Sequence, residues 1–344
     1  MLFPEEGTVK RFALALFILL SWLTLVGVAV SAQTSAAEGR PPQSALFNDA
    51  NFLARAAPFI VALGVLVGIV QARAAAQRGS DAIIGEKVHR HDISTVIAHW
   101  ANAAGVILGL ATGAIVLRWV DYRPELRLVF IIHYAGAALM LFAIFNHLTR
   151  HGVSGGTGLI PKRLNVIRDL IGELLEYAGV FGPEGAVLRI PWPKAIRQPI
   201  ARYARALLSY QESRAGKYLA TEQTISYPPW AILMGLIVVS GLIKVLRYVY
   251  VIPNPVVATA TAIHDVTTIA IGVMLIIHLL PLLLIPANWP LLLSMFRTTV
   301  PRKYVEERHP AWYRELKTPQ SQEEPDRVTS PDRSEHGPAQ TVDA

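Results

Sequence analysis

The chain has 344 residues, 52% of them hydrophobic and 17% charged, and its apolar residues gather into long runs. That pattern excludes a soluble domain and describes an integral membrane protein. It has no cysteine, which excludes disulfides, thioether-attached cofactors and clusters held by its own thiolates. The net charge of +7 reads as basic loops on the cytoplasmic side, and no nucleic-acid motif accompanies it.

Residues 1–32 contain the apolar run Phe12–Val30, preceded by Lys10 and Arg11 and followed by the small pair Ser31-Ala32. This segment reads as a signal peptide or a transmembrane helix. Residues 33–51 form a polar periplasmic segment, and 52–72 an extra transmembrane helix. Further spans are Ile93–Leu117, Leu126–Leu148, Trp230–Ile243 and Thr259–Pro286. The span Trp230–Ile243 extends into Tyr250 if Lys244 and Arg247 snorkel. The expected fold is an all-α integral membrane protein. Its core, 93–301, is a four-helix transmembrane bundle, with one or two extra N-terminal transmembrane helices.

Basic residues concentrate in Arg73–Arg90, in the long loop 150–229 and after Arg297. Positive-inside logic places these in the cytoplasm and makes the protein multi-pass in the bacterial inner membrane. Within the long loop, Pro161–Gly182 and Pro199–Tyr210 have amphipathic helical spacing and are expected at the lipid surface or against a partner. Residues 302–344 read as a cytoplasmic tail, and the part after Lys317, rich in Pro, Ser, Asp and Glu, reads as disordered.

Ionisable residues inside membrane helices are costly and mark function. His264 and His278 stand 14 residues apart, which is about 21 Å along a helix and within about 40° of one face. Such a pair suits axial ligands of two stacked haems, each iron needing a second histidine from another helix. Matching by depth joins His133 with His264 near the periplasmic face and His99 with His278 near the cytoplasmic face. His147, also 14 residues after His133, competes with His99 for the inner iron. Gly105, Gly109, Gly113, Gly136 and Gly272 let a flat macrocycle or another helix backbone approach. His89, His91, His151, His309 and His336 lie outside the spans and are expected to be solvated or to face headgroups. Asp265 either accepts a hydrogen bond beside His264 or caps the helix start.

His99-Trp100 with Asn102-Ala103 resembles the HWxNA signature of the first haem helix in a family of dihaem membrane cytochromes b. These are the gamma subunits of respiratory formate dehydrogenases, with the related subunits of nickel–iron hydrogenases and thiosulfate reductases. Gly216-Lys217-Tyr218, Gln223 and Trp230 are similar to the stretch preceding the third helix of that core. His133-Tyr134-Ala135-Gly136 resembles its second-helix ligand, and His264 with His278 its fourth-helix pair. Two departures stand out: Ala98 where an arginine is usual, and Leu219 after Tyr218 where an asparagine is usual. The resemblance implies two haem b groups, and menaquinone or ubiquinone as electron acceptor near the cytoplasmic face. It also implies an iron–sulfur beta subunit and a molybdopterin-type catalytic alpha subunit as partners in anaerobic respiration. This chain would then be a non-catalytic electron-transfer anchor. Asn102, Lys217, Gln223 and Tyr227 are the candidate quinone contacts. The alternatives are the cytochrome b subunit of a hydrogenase or of a thiosulfate, polysulfide or nitrate reductase, and a haem-free transporter or structural anchor.

Overall fold

The computed structural model describes residues 45–78, 81–122, 124–154, 158–160, 165–181, 192–209 and 215–318. The expectation for residues 1–32 falls outside them. Five described helices are long and apolar enough to cross a membrane. They are α1 (Ala45–Arg78), α2 (Ile93–Val116), α3 (Leu126–Val153), α6 (Tyr227–Leu246) and α7 (Asn254–Leu284). Helix α1 takes in residues 45–51, before the span expected at 52–72. Between the spans lie α4 (Val166–Tyr177) and α5 (Lys194–Leu208), the two amphipathic helices expected in the long loop. A π-helical turn, Glu222–Ser226, leads into α6. It falls where Pro228 and Pro229 have no N–H to offer the carbonyls one turn back.

Helices α2, α3, α6 and α7 form the bundle. Its centre is a cluster with one side chain from each helix: Val106, Met140, Met234 and Ile271. Helices α2 and α3 cross at Gly105 and Gly136. A Cβ on Gly105 would come within 2.7 Å of the Gly136 carbonyl, so only hydrogen fits there. In lipid no hydrophobic drive joins two helices, and this close backbone contact is what holds the pair. Helix α1 covers the outside of the bundle. Ala57, Val61 and Val65 pack on Leu141, flanked by Phe145, Val238 and Leu242. Gly64 and Gly68 bring its backbone against α3, where added Cβ atoms would meet the carbonyls of Phe142 at 2.7 Å and Asn146 at 2.8 Å. Asp49 and Arg127 pair at one end of this contact. At the other end Arg150, buried, holds Thr95 and Asp92 at the start of α2.

One end of the bundle carries a small folded cap. Strand β2 (Lys87–His89) pairs antiparallel with β1 (Ile83–Ile84) and with β3 (Thr299–Pro301), Val88 opposite Val300. After α7 come a 3-10 turn (Pro286–Asn288), α8 (Trp289–Arg297), α9 (Arg302–Arg308) and α10 (Pro310–Lys317). The stretch read as tail from 302 is therefore folded as far as Lys317. Val88, Val300, Tyr304, Val305, Trp312, Tyr313 and Leu316 bury one another in a single cluster, and that burial offsets the entropy of ordering this charged stretch. Residues 319–344 lie outside the described residues. His309 is fully buried, with Nδ1 2.7 Å from the Gly216 carbonyl. Burial holds its pKa down at about 3. His91 is likewise pushed down to about 3 by burial and by Arg90. Neither is a solvated loop histidine.

Candidate haem sites

The structure brings His133 of α3 and His264 of α7 together, with ring centroids 6.2 Å apart and planes at 64°. Two imidazoles bound to one metal from opposite sides, with metal–nitrogen bonds of about 2 Å, place their centroids about 6 Å apart. The second nitrogen of each ring is accounted for. His133 Nδ1 lies 2.8 Å from Thr112 Oγ1, and His264 Nδ1 lies 3.1 Å from Ser240 Oγ. Each hydroxyl donates its own proton to a helix carbonyl, Leu108 for Thr112 and Leu236 for Ser240. Each oxygen can therefore only accept from the imidazole, which fixes the proton on Nδ1 and leaves the Nε2 lone pair free. That is the tautomer a metal needs.

A cavity surrounds the pair, lined by Gly109, Gly113, Phe130, Tyr134, Lys244 and Tyr248 among others. The cavity holds about 220 Å³ of free space. The glycines divide between two tasks. Gly105 and Gly136 serve helix contact, whereas an added Cβ on Gly109 would meet nothing within 4 Å. Gly241 makes room for the His264 ring, 3.2 Å from its absent Cβ. Asp265 is well inside α7 and pairs with Lys244 at 3.8 Å, so it does not cap the helix start.

His99 and His278 lie within electrostatic reach of each other at the opposite end of the bundle. The His99 ring meets Trp100 edge-on at 5.3 Å, and Trp230 meets His278 edge-on at 6.3 Å. The Trp100 indole donates to the Met295 carbonyl at 2.8 Å, which fixes the start of α2 against α8. His99 Nδ1 and Asn102 Oδ1 are both buried without a hydrogen-bond partner among the described residues. Buried polar atoms are nearly always paired, so these two mark a place for a ligand or an ordered water.

The remaining candidates are occupied. His147 Nε2 is 3.0 Å from the Tyr227 hydroxyl, and its ring meets that of His151 at 4.4 Å, tilted by 59°. Lys217 pairs with Asp81 at 2.6 Å under Trp312, and Gln223 donates to the Gly158 carbonyl at 2.7 Å. Both anchor the cap and the long loop. Thr112, Ser240 and Gly241 escaped the reading of the sequence. Thr112 and Ser240 are lone hydroxyls in apolar spans, which is a weak signal for a histidine's partner.

The two histidine levels are arranged symmetrically. Val106, Met140 and Ile271 each stand seven residues from a site histidine on the same helix: His99, His133, and both His264 and His278. Seven residues are two turns, about 10.5 Å. The family model of prokaryotic cytochrome b561 matches residues 90–298, more than half of the chain. The chain belongs to that family. The cytochrome is thus a multi-pass membrane protein with b-type haem, serving electron transfer. The match covers all four bundle helices and stops short of α9 and α10; α1 precedes it. No curated protein matches the cytochrome.

Proposed function

We propose that this cytochrome is the dihaem membrane anchor of a quinone-linked respiratory oxidoreductase of the formate dehydrogenase type. His133 and His264 would hold one haem and His99 and His278 the other. The observation that carries the reading is the free Nε2 on both outer imidazoles, set by Thr112 and Ser240, at a centroid spacing suited to one metal between them. The repeat of histidines 14 residues along α7 extends it to a second site. Bound haem supplies reversible one-electron transfer between ferric and ferrous iron.

The chain's own residues do the rest. Thr112 and Ser240 orient the outer imidazoles and raise their basicity. Lys244 lines the cavity wall with Asp265, where a cation suits the anionic edge of a haem. Val106, Met140, Met234 and Ile271 fill the bundle between the levels and exclude water from it. Near the inner level, Asn102 is the best candidate to meet the quinone pool, because its buried carbonyl oxygen has no partner among the described residues and would accept from a quinol hydroxyl. Electrons would pass from a periplasmic iron–sulfur subunit, fed by a molybdopterin-type catalytic subunit, to the quinone pool at the inner face. Positive-inside logic supports placing the His99–His278 level toward the cytoplasm.

The test is purification of the intact complex from native membranes. Co-purification of an iron–sulfur subunit and a molybdopterin subunit, with formate-driven haem reduction, is the expected result. Hydrogenase large and small subunits in their place would overturn the formate assignment while leaving the cytochrome intact.

A further inference from the structure

Helix α4 is amphipathic the wrong way round for a soluble surface. Its polar side is turned to the protein. Glu173, buried, accepts the backbone N–H groups of Ala220 and Thr221, each at 2.8 Å. Glu176 pairs with Arg308, and the Tyr177 hydroxyl donates to Asn288 Oδ1 at 3.4 Å. Its apolar side faces outward: Ile167, Ile171 and Leu174 are 55%, 41% and 45% exposed. They follow one another at i, i+4 and i+7, one stripe of a helix.

Helix α5 shows the same arrangement more strongly. It packs on Leu175, Ala178, Val180 and Phe181 through Ala201 and Ala204. Its larger apolar side chains take no part in that contact. Ile196, Ile200, Tyr203 and Leu207 are 48%, 41%, 72% and 67% exposed and form a second stripe, about 100° round from the packed face. Lys194, Gln198, Arg202 and Arg205 lie on the side opposite that stripe. The helix has four basic residues and no acidic one.

The depth of the pair is fixed by its anchors. Ala220 and Thr221 immediately precede the span Glu222–Leu246, and Asn288 follows the end of α7 at Leu284. The hairpin is thus held where membrane helices enter the bilayer. We propose that α4 and α5 lie in the headgroup layer of the cytoplasmic leaflet, their apolar stripes in the acyl boundary and the α5 cations on anionic lipid. An apolar stripe backed by basic residues, at that level, is the physical description of an in-plane lipid-binding helix. A soluble partner would meet the same stripes without any use for a helix whose charged residues are all basic.

The cysteine-free sequence permits a direct test on the full-length protein. Single cysteines at Ile200, Tyr203, Leu207, Leu174 and, as a polar-face control, Gln198 would be spin-labelled in vesicles of phosphatidylcholine with phosphatidylglycerol. Size-exclusion elution and circular dichroism would show that each variant folds as the parent does. Collision with oxygen relative to a water-soluble nickel chelate should be several-fold higher at 200, 203, 207 and 174 than at 198. Lys194→Glu with Arg202→Glu should lower that ratio in the anionic vesicles and leave it unchanged in phosphatidylcholine alone. Ratios at the apolar positions equal to that at 198 would overturn the proposal. So would protection from both reagents, which would mean that a second copy or another protein covers the stripe. An unchanged ratio in the charge-reversed variant would overturn the anionic-lipid assignment.

Discussion

Thr112→Val removes a hydroxyl that accepts from His133 Nδ1 at 2.8 Å and keeps the shape of the side chain. The Nδ1–H is then buried without a partner, at a cost of about 1–3 kcal/mol. At about 1.4 kcal/mol per tenfold that is roughly 5- to 150-fold in affinity. It agrees with the 10- to 100-fold or so that loss of a histidine's outer partner usually costs a metal site. The assay is transfer of haem from the purified cytochrome to an excess of a soluble haem acceptor, with a redox titration alongside. We expect the outer haem of Thr112→Val to be lost at least 5-fold faster, by the estimate above, and its midpoint potential to move positive. The sign follows because a less basic imidazole stabilises ferric iron less. Thr112→Ser should restore both values. Thr261→Val removes a hydroxyl that bonds the Val257 carbonyl in the same manner but faces no site histidine, and it should change neither. Wild-type retention and potential in Thr112→Val would refute the tautomer reasoning.

Gly105→Ala should destabilise the bundle, since the added carbon would sit 2.7 Å from the Gly136 carbonyl, whereas Gly109→Ala should fold normally and bind less haem because it narrows only the cavity. Thermal unfolding and haem content, measured together, separate the two. Asn102→Leu should raise the apparent KM for a quinol analogue, while Lys217→Met and Gln223→Leu should lower stability without changing that KM, given their pairing with Asp81 and Gly158. A KM change in Lys217→Met would return that residue to the quinone site. The cap should loosen on acidification. His309 binds its proton at about 3 when folded, against 6.5 as the ordinary value, so the unfolded cap takes up more protons between those limits and stability falls as pH drops through that window. Trp312 fluorescence should report the transition, and His309→Gln should flatten its dependence on pH.

Much of the architecture was legible because lipid imposes a simple rule. Each span must be a long apolar helix, and a histidine inside one stands out. The spacing of His264 and His278 and the depth matching of His133 and His99 followed from helix geometry alone. What escaped depends on contacts between distant segments. Residues 302–317 are rich in charge and read as tail, yet Val305 and Trp312 find Val88, more than half the chain away. Gly105 and Gly109 look alike in sequence and differ only in what stands opposite. Lys217 and Gln223 are polar residues near the inner level, and only the fold reveals that Asp81 and Gly158 already engage them. Thr112 and Ser240 acquire their role only once α2 meets α3 and α6 meets α7.

The central claim is two haems on four histidines. Pyridine haemochrome quantitation with a dithionite-reduced minus oxidised spectrum, on the parent and on His133→Ala, His278→Ala and His147→Ala, tests it most directly. The account predicts two b haems per chain in the parent and in His147→Ala, and one in each of the other variants. A parent with one haem or none, or a haem lost from His147→Ala, would contradict it.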